Sequence, residues 1–142
     1  MDTPHGSQHS GRVDLRIQCL CVDSTDPPRA AAFWEAALGW RRTFEQENEI
    51  VLEPPEGSRE NGIVPDLLFL RVPEDKAVKN RLHLDVNAGG PPGTPPSDRR
   101  ARVDEMVERL AASGATLLTA GTEYDEYCVT MLDPEGNEFD VQ

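Results

Sequence analysis

The stretch "KNRLHLDV", residues 79–86, opens with Lys79, Asn80 and Arg81 and then alternates. Successive side chains of an extended chain point to opposite faces. Leu82, Leu84 and Val86 therefore share one face, and Arg81, His83 and Asp85 share the other. The apolar face asks for a helix to cover it. An arginine, a histidine and a carboxylate on the reverse face suit a sheet that backs onto a core and lines a hollow with its other side. The strand is expected over 81–87.

Downstream, "AGGPPGTPPSD" (88–98) is a proline-rich loop in which Ser97 or Asp98 is placed to cap a helix. Val103, Met106, Val107 and Leu110 recur at helical spacing, and Gly114 stops the helix, expected near 98–113. Strands are expected at 115–119, 126–132 and 137–141, the last two joined by the turn "DPEG" (133–136).

Upstream, the same order occurs once already. "VDLRIQCLCV" (13–22) reads as a strand whose odd positions, Val13, Leu15, Ile17, Cys19 and Cys21, form an apolar face. Asp26 is placed to cap a helix, with Pro27 and Pro28 in its first turn. Ala30, Phe33, Trp34, Ala37 and Leu38 give that helix, near 27–39, a buried face, and Gly39 ends it. Strands near 40–45 and 48–53, a loop over 53–65 and a strand at 66–72 follow. Each half thus reads strand, helix, strand, strand, strand. Gly39 answers to Gly114, although the letters of the two halves hardly repeat. Two βαβββ modules (13–73 and 80–142) make an α+β domain over 13–142. Its sheets curve around a cavity and its helices lie outside.

A chain of 142 residues, 37% hydrophobic and 28% charged, is ample for one core. The net charge of −12 repels nucleic acid and anionic membrane, and favours a cationic small molecule. No segment reaches membrane-spanning length. Residues 1–12, "MDTPHGSQHSGR", lack the apolar core of a signal peptide and read as a flexible, disordered tail that includes His5 and His9. Cys19 and Cys21 share one strand face, poorly placed for a mutual disulfide. With Cys128, the odd count and apolar settings suggest reduced, buried thiols and a cytoplasmic location.

"DPPRAAAFWEAALGW" (26–40), "VKNRLHLDV" (78–86), "LAASGAT" (110–116) and "LDPEGNEFDV" (132–141) occur in an order that resembles the vicinal oxygen chelate superfamily. Within it they are similar to the glyoxalase-like domains of the glyoxalase, bleomycin-resistance and extradiol dioxygenase group. The resemblance covers nearly the whole chain beyond the tail. It implies a ligand cavity and leaves several activities open: lyase, isomerase, dioxygenase, or sequestration of a drug without chemistry. It also leaves open whether the site forms within one chain or in a homodimer.

In metal-bearing members each half supplies a ligand from its first strand and another from its last. His83 matches the first and Asp140 the second, four residues after Gly136. In the other half the first-strand position falls on Gln18 or Cys19, with alternation favouring Gln18. The last-strand candidates are Phe69, Leu70 and Arg71. Two matched ligands imply either no metal or a weakly held divalent ion (Zn, Ni, Fe or Mn). Glu138 shares the face of Asp140, and His83 and Glu138 are the candidate acid–base groups. Gln18, Arg71, Arg81, Asp85, Trp40 and Tyr127 are candidate ligand-binding residues, the arginines as partners for an anionic group.

Overall fold

The structure, a computed structural model, describes residues 15–123 and 125–142. The expected tail, Val13 and Tyr124 fall outside that range. The first module runs β1 (Cys19–Ser24), α1 (Pro27–Leu38), β2 (Arg41–Gln46), β3 (Glu49–Glu53) and β4 (Asp66–Arg71). The second runs β5 (Leu84–Val86), α2 (Pro96–Ala112), β6 (Thr116–Glu123), β7 (Glu126–Leu132) and β8 (Glu138–Val141). Each forms its own four-stranded mixed sheet, in the orders β1-β4-β3-β2 and β5-β8-β7-β6. The first strand of each module pairs parallel to the last, and the other pairings are antiparallel. This is the expected α+β fold of two βαβββ modules.

The caps of α1 follow the reading. Asp26 accepts from the Arg29 amide at 3.3 Å, and Gly39 closes the helix in the left-handed conformation at φ 66°. The start of α2 differs. The helix begins at Pro96, Pro95 is its N-cap residue, and no side chain caps it, so Ser97 and Asp98 lie inside the first turn. Proline needs no amide partner there and supplies the helical φ.

The core lies between helices and sheets. Phe33 and Trp34 of α1 stack edge-on, and both rings approach Phe139 of β8, with Trp34–Phe139 centroids 4.9 Å apart. Phe69, Ile50, Leu52, Met131 and Val141 are sealed beneath. A helix of the first module is therefore packed on a strand of the second. Trp34 Nε1 also donates to Asp133 Oδ2 at 3.1 Å. Asp133 accepts in turn from the Glu135 and Asn137 amides and from Asn137 Nδ2, fixing the turn before β8.

Two expectations about strand faces fail. Leu15 and Ile17 precede β1 and are 86% and 69% exposed, while Leu20 and Val22 pack against the core. The even positions of β1 are thus the inward ones. Apolar residues alternate on both faces of this segment, and the odd set merely began earlier. Similarly β5 spans three residues, so Leu82 falls before it and is 85% exposed. Leu84 does face the core as expected, as do Phe139 and Val141 of β8.

Candidate functional site

The two modules can be put in register from their own irregularities. Each hairpin has a bulge at the same place, between Arg42 and Phe44 in β2 and between Leu117 and Thr119 in β6. Across the first sheet Arg42 pairs with Leu52, Leu52 with Leu67, and Leu67 with Leu20. Across the second Leu117 pairs with Met131, Met131 with Phe139, and Phe139 with Leu84. Leu20 therefore corresponds to Leu84. It follows that Cys19 answers to His83, Cys21 to Asp85, Leu68 to Asp140 and Asp66 to Glu138.

On the second module, Asp85 and Asp140 are direct neighbours across the β5–β8 pairing. His83 stands beside them, with Nδ1 3.0 Å from Asp85 Oδ1 and 3.7 Å from Asp140 Oδ2. Thr130 Oγ1 donates to Asp140 Oδ1 at 2.6 Å and holds that carboxylate still. A carboxylate accepts, so the Nδ1 hydrogen points at Asp85, and Nε2 is the nitrogen left for other partners. Ligand atoms of His83, Asp85 and Asp140 lie within 4.8 Å of one another.

A cavity of about 880 Å³ opens between the modules. Its walls are β1, the connection that follows β4, the approach to β5 and the start of β8. Cys19, Cys21 and Asp23 line it from the first module, and Arg81, His83 and Glu138 from the second. Asp85 and Asp140 stand beside His83 without lining the cavity themselves.

Glu138 lines the cavity but is engaged. Its carboxylate accepts from the Asn80 amide at 2.9 Å and from Lys76 Nζ at 3.1 Å. The Asn80 N–H, chiefly, holds its pKa down at about 2 against the burial that opposes it. So weak a base suits a strut for the 76–80 segment better than proton abstraction. Its counterpart Asp66 shifts the other way, raised by burial and by Glu53.

Besides Asp85, four candidate ligand-binding residues stand apart from the cavity. Arg71 donates to the carbonyls of Thr25 and Glu47 and clamps two loops. Tyr127 points to the helical side of its sheet, where its hydroxyl donates to Asp104 at 2.6 Å and Arg100 lies over its ring. Gln18 is exposed, and its backbone carbonyl starts the β1–β4 ladder by accepting from the Asp66 amide. Trp40 is buried and borders a separate hollow of about 390 Å³ on the helical side. All four were read from their positions along the chain, which do not reveal the partner a side chain finds in another element.

Sequence reasoning also missed the latch of Glu135. Its Oε1 accepts from the Thr25 amide, the Thr25 hydroxyl and the Asp26 amide, tying the "DPEG" turn to the start of α1. The acidic turn residue was the available signal, but nothing local shows what lies opposite it.

The cysteines differ from expectation too. Cys21 is exposed, Cys19 and Cys128 are half-buried, and the Sγ atoms of Cys19 and Cys21 are 3.7 Å apart. Partial burial, followed by the contact with Cys19, raises the Cys21 pKa.

Fold and site define a two-module α+β protein with a ligand-sized cavity at the module boundary. A family model described as a glyoxalase-like domain matches residues 19–142, and the chain belongs to that family. No curated protein matches it in sequence. Among solved structures it is similar to a glyoxalase-related enzyme from Fulvimarina pelagi, at 17% identity over 89% of this chain and 86% of that one, TM-score 0.65. It is similar to a variant of the fosfomycin resistance protein FosX from Listeria monocytogenes, complexed with Mn(II) and 1S,2S-dihydroxypropylphosphonic acid. That likeness is 10% identity over 92% and 90% of the two chains, TM-score 0.66. A lactoylglutathione lyase from Agrobacterium tumefaciens gives 18% identity over 89% and 91%, TM-score 0.58. At these identities the likeness concerns the fold. Among the described residues no helix is long and apolar enough to cross a membrane.

The four-ligand metal site that the resemblance implies does not fit this donor set. The second module offers His83 and Asp140, but the equivalent residues of the first are Cys19 and Leu68. A leucine has no donor atom, and a thiolate is softer than the imidazole it replaces. Among the described residues, the second module offers the one-sided trio His83, Asp85 and Asp140.

Proposed function

We propose that the chain binds a small organic molecule in the cavity between its modules, and that His83 is the polar group that reads it. The carrying observation is His83 on the wall of an 880 Å³ cavity with its Nδ1 held by Asp85. A cavity of this size suits a drug-sized ligand. Asp23, Glu74, Asp75 and Glu138 outnumber Lys76 and Arg81 on its walls. With the net charge of −12, that balance favours an organic cation, such as an amine that donates to Nε2. Asp85 fixes the ring and its tautomer, and Nε2 accepts a hydrogen bond or a proton from the ligand. Arg81 offers a second anchor for any anionic group the ligand carries.

Thermal-shift screening with a panel of organic amines and carboxylates, followed by calorimetry, tests this reading. The expected result is a cationic ligand whose affinity falls about tenfold or more in His83→Ala. A ligand that binds equally well to that variant would overturn it.

A second reading rests on the trio. If His83, Asp85 and Asp140 hold a divalent ion, the protein is a metal-dependent lyase, isomerase or dioxygenase of the kind the family contains. When bound, such an ion would polarise substrate oxygens. Elemental analysis of protein purified without a His-tag separates the two readings. About one equivalent of metal per chain, lost in both His83→Ala and Asp140→Ala, would establish the second.

A further inference from the structure

We infer that Cys19 and Cys21 form a chelating dithiol for a soft divalent cation of the zinc–cadmium class, facing the cavity between the modules. The two thiols lie on one face of β1, two residues apart, and both line the cavity. Their sulfurs are 3.7 Å apart. A tetrahedral ion with metal–sulfur bonds of about 2.3 Å needs its two sulfurs roughly 3.8 Å apart, so the pair already has the spacing of one tetrahedral edge. Soft thiolates select zinc-like and softer ions over magnesium and calcium.

A disulfide is the competing fate of two adjacent thiols, and the strand opposes it. Residues i and i+2 of a strand are about 6.6 Å apart at Cα, near the upper limit for a bridge, and the pleat holds them there. The cation needs no such approach. Binding replaces two S–H bonds with two metal–sulfur bonds and releases two protons to solvent, with no change in oxidation state. Asp23, next along the same face and also lining the cavity, adds negative charge beside the ion. Water, or a donor atom of a molecule in the cavity, completes the coordination. The site uses no atom of the His83 trio and stands independently of the function proposed above.

The probe is Cd²⁺, titrated into the reduced full-length protein after chelator treatment and followed by the ultraviolet thiolate-to-cadmium charge-transfer band. About one equivalent should bind with that band. Cys19→Ser and Cys21→Ser should each abolish the band and weaken binding at least tenfold. Cys128→Ser and His83→Ala should retain it, which separates this site from the trio. Wild-type protein provides a second readout. Bound Cd²⁺ should shield the peptide carrying Cys19 and Cys21 from iodoacetamide, as read by mass spectrometry. No band in the wild type, or equal alkylation with and without Cd²⁺, overturns the inference. So does a band that survives both β1 substitutions.

Discussion

Cys19 and His83 hold the same place in the two modules: each immediately precedes the leucine that pairs with the core residue of the last strand, Leu20 with Leu67 and Leu84 with Phe139. A repeat that kept its architecture has thus placed a thiol and an imidazole, one from each module, on the lining of one cavity. The companions differ likewise, Cys21 against Asp85 and Leu68 against Asp140. Cys19 and Cys21 line the cavity next to Asp23, and His83 lines it with Asp85 and Asp140 behind the ring.

The position of His83 depends on Asp85 more than on Asp140, because only the former lies within hydrogen-bond distance. For whatever ligand the screen finds, Asp85→Asn should weaken binding several-fold and His83→Ala about tenfold or more. The double variant should be no worse than His83→Ala alone, because Asp85 acts through the ring. Calorimetry on the three proteins checks this, and additive losses would show Asp85 touching the ligand directly.

Acid should release the segment held by Glu138. Its folded pKa of about 2 lies below the ordinary 4.5, so folding favours the charged form. The stabilisation is complete above about pH 4.5 and is lost as pH falls toward 2. The linkage amounts to something on the order of 2–3 kcal/mol. Urea unfolding at a series of pH values should show a steeper acid loss in the wild type than in Glu138→Gln. Identical slopes would remove Glu138 from the account.

Trp34→Phe should cost roughly 1–3 kcal/mol although it keeps an aromatic ring in place. The lost indole N–H leaves Asp133, only 4% exposed, without one of its donors. Chemical denaturation measures the loss. A cost near zero would mean that the Asn137 side chain and the turn amides satisfy Asp133 alone.

Leu82 and Phe139 make a paired test of the strand faces. Phe139→Ala should cost about 3–5 kcal/mol, because its ring is buried against Phe33 and Trp34. Leu82→Ala should stay within roughly 0.5 kcal/mol, because the side chain is almost fully in solvent. A large effect at Leu82 would show that this residue is covered in solution.

Gly39→Ala should destabilise by about 1–2 kcal/mol, because its φ of 66° is strained for a residue with a Cβ. No neighbour lies within 4 Å of the added atom, so Gly39→Asn, which tolerates that conformation better, should recover part of the loss.

Much of this protein was legible in its sequence. Helical periodicity at Phe33, Trp34 and Ala37, the Asp26 cap and the stop at Gly39 are local signals, and they placed α1 within a residue or two. The repeated order of elements gave the two modules, and the motifs around His83 and Gly136 pointed to the His83–Asp140 neighbourhood. These features depend on a few adjacent residues, and the chain carries them in any context. Tertiary structure decided the rest. β1 alternates apolar residues on both faces, so only packing in the folded chain could set Leu20 and Val22 against the core and leave Cys19 and Cys21 on the other face. Arg71 and Tyr127 found partners in other elements, at Thr25, Glu47 and Asp104. Glu138 was taken up by Lys76 and the Asn80 amide, 62 and 58 residues away. Strand parity leaves two equivalent faces, and a long polar side chain has many reachable partners. Both choices are made by contacts between segments far apart in sequence, which exist only once the chain has folded.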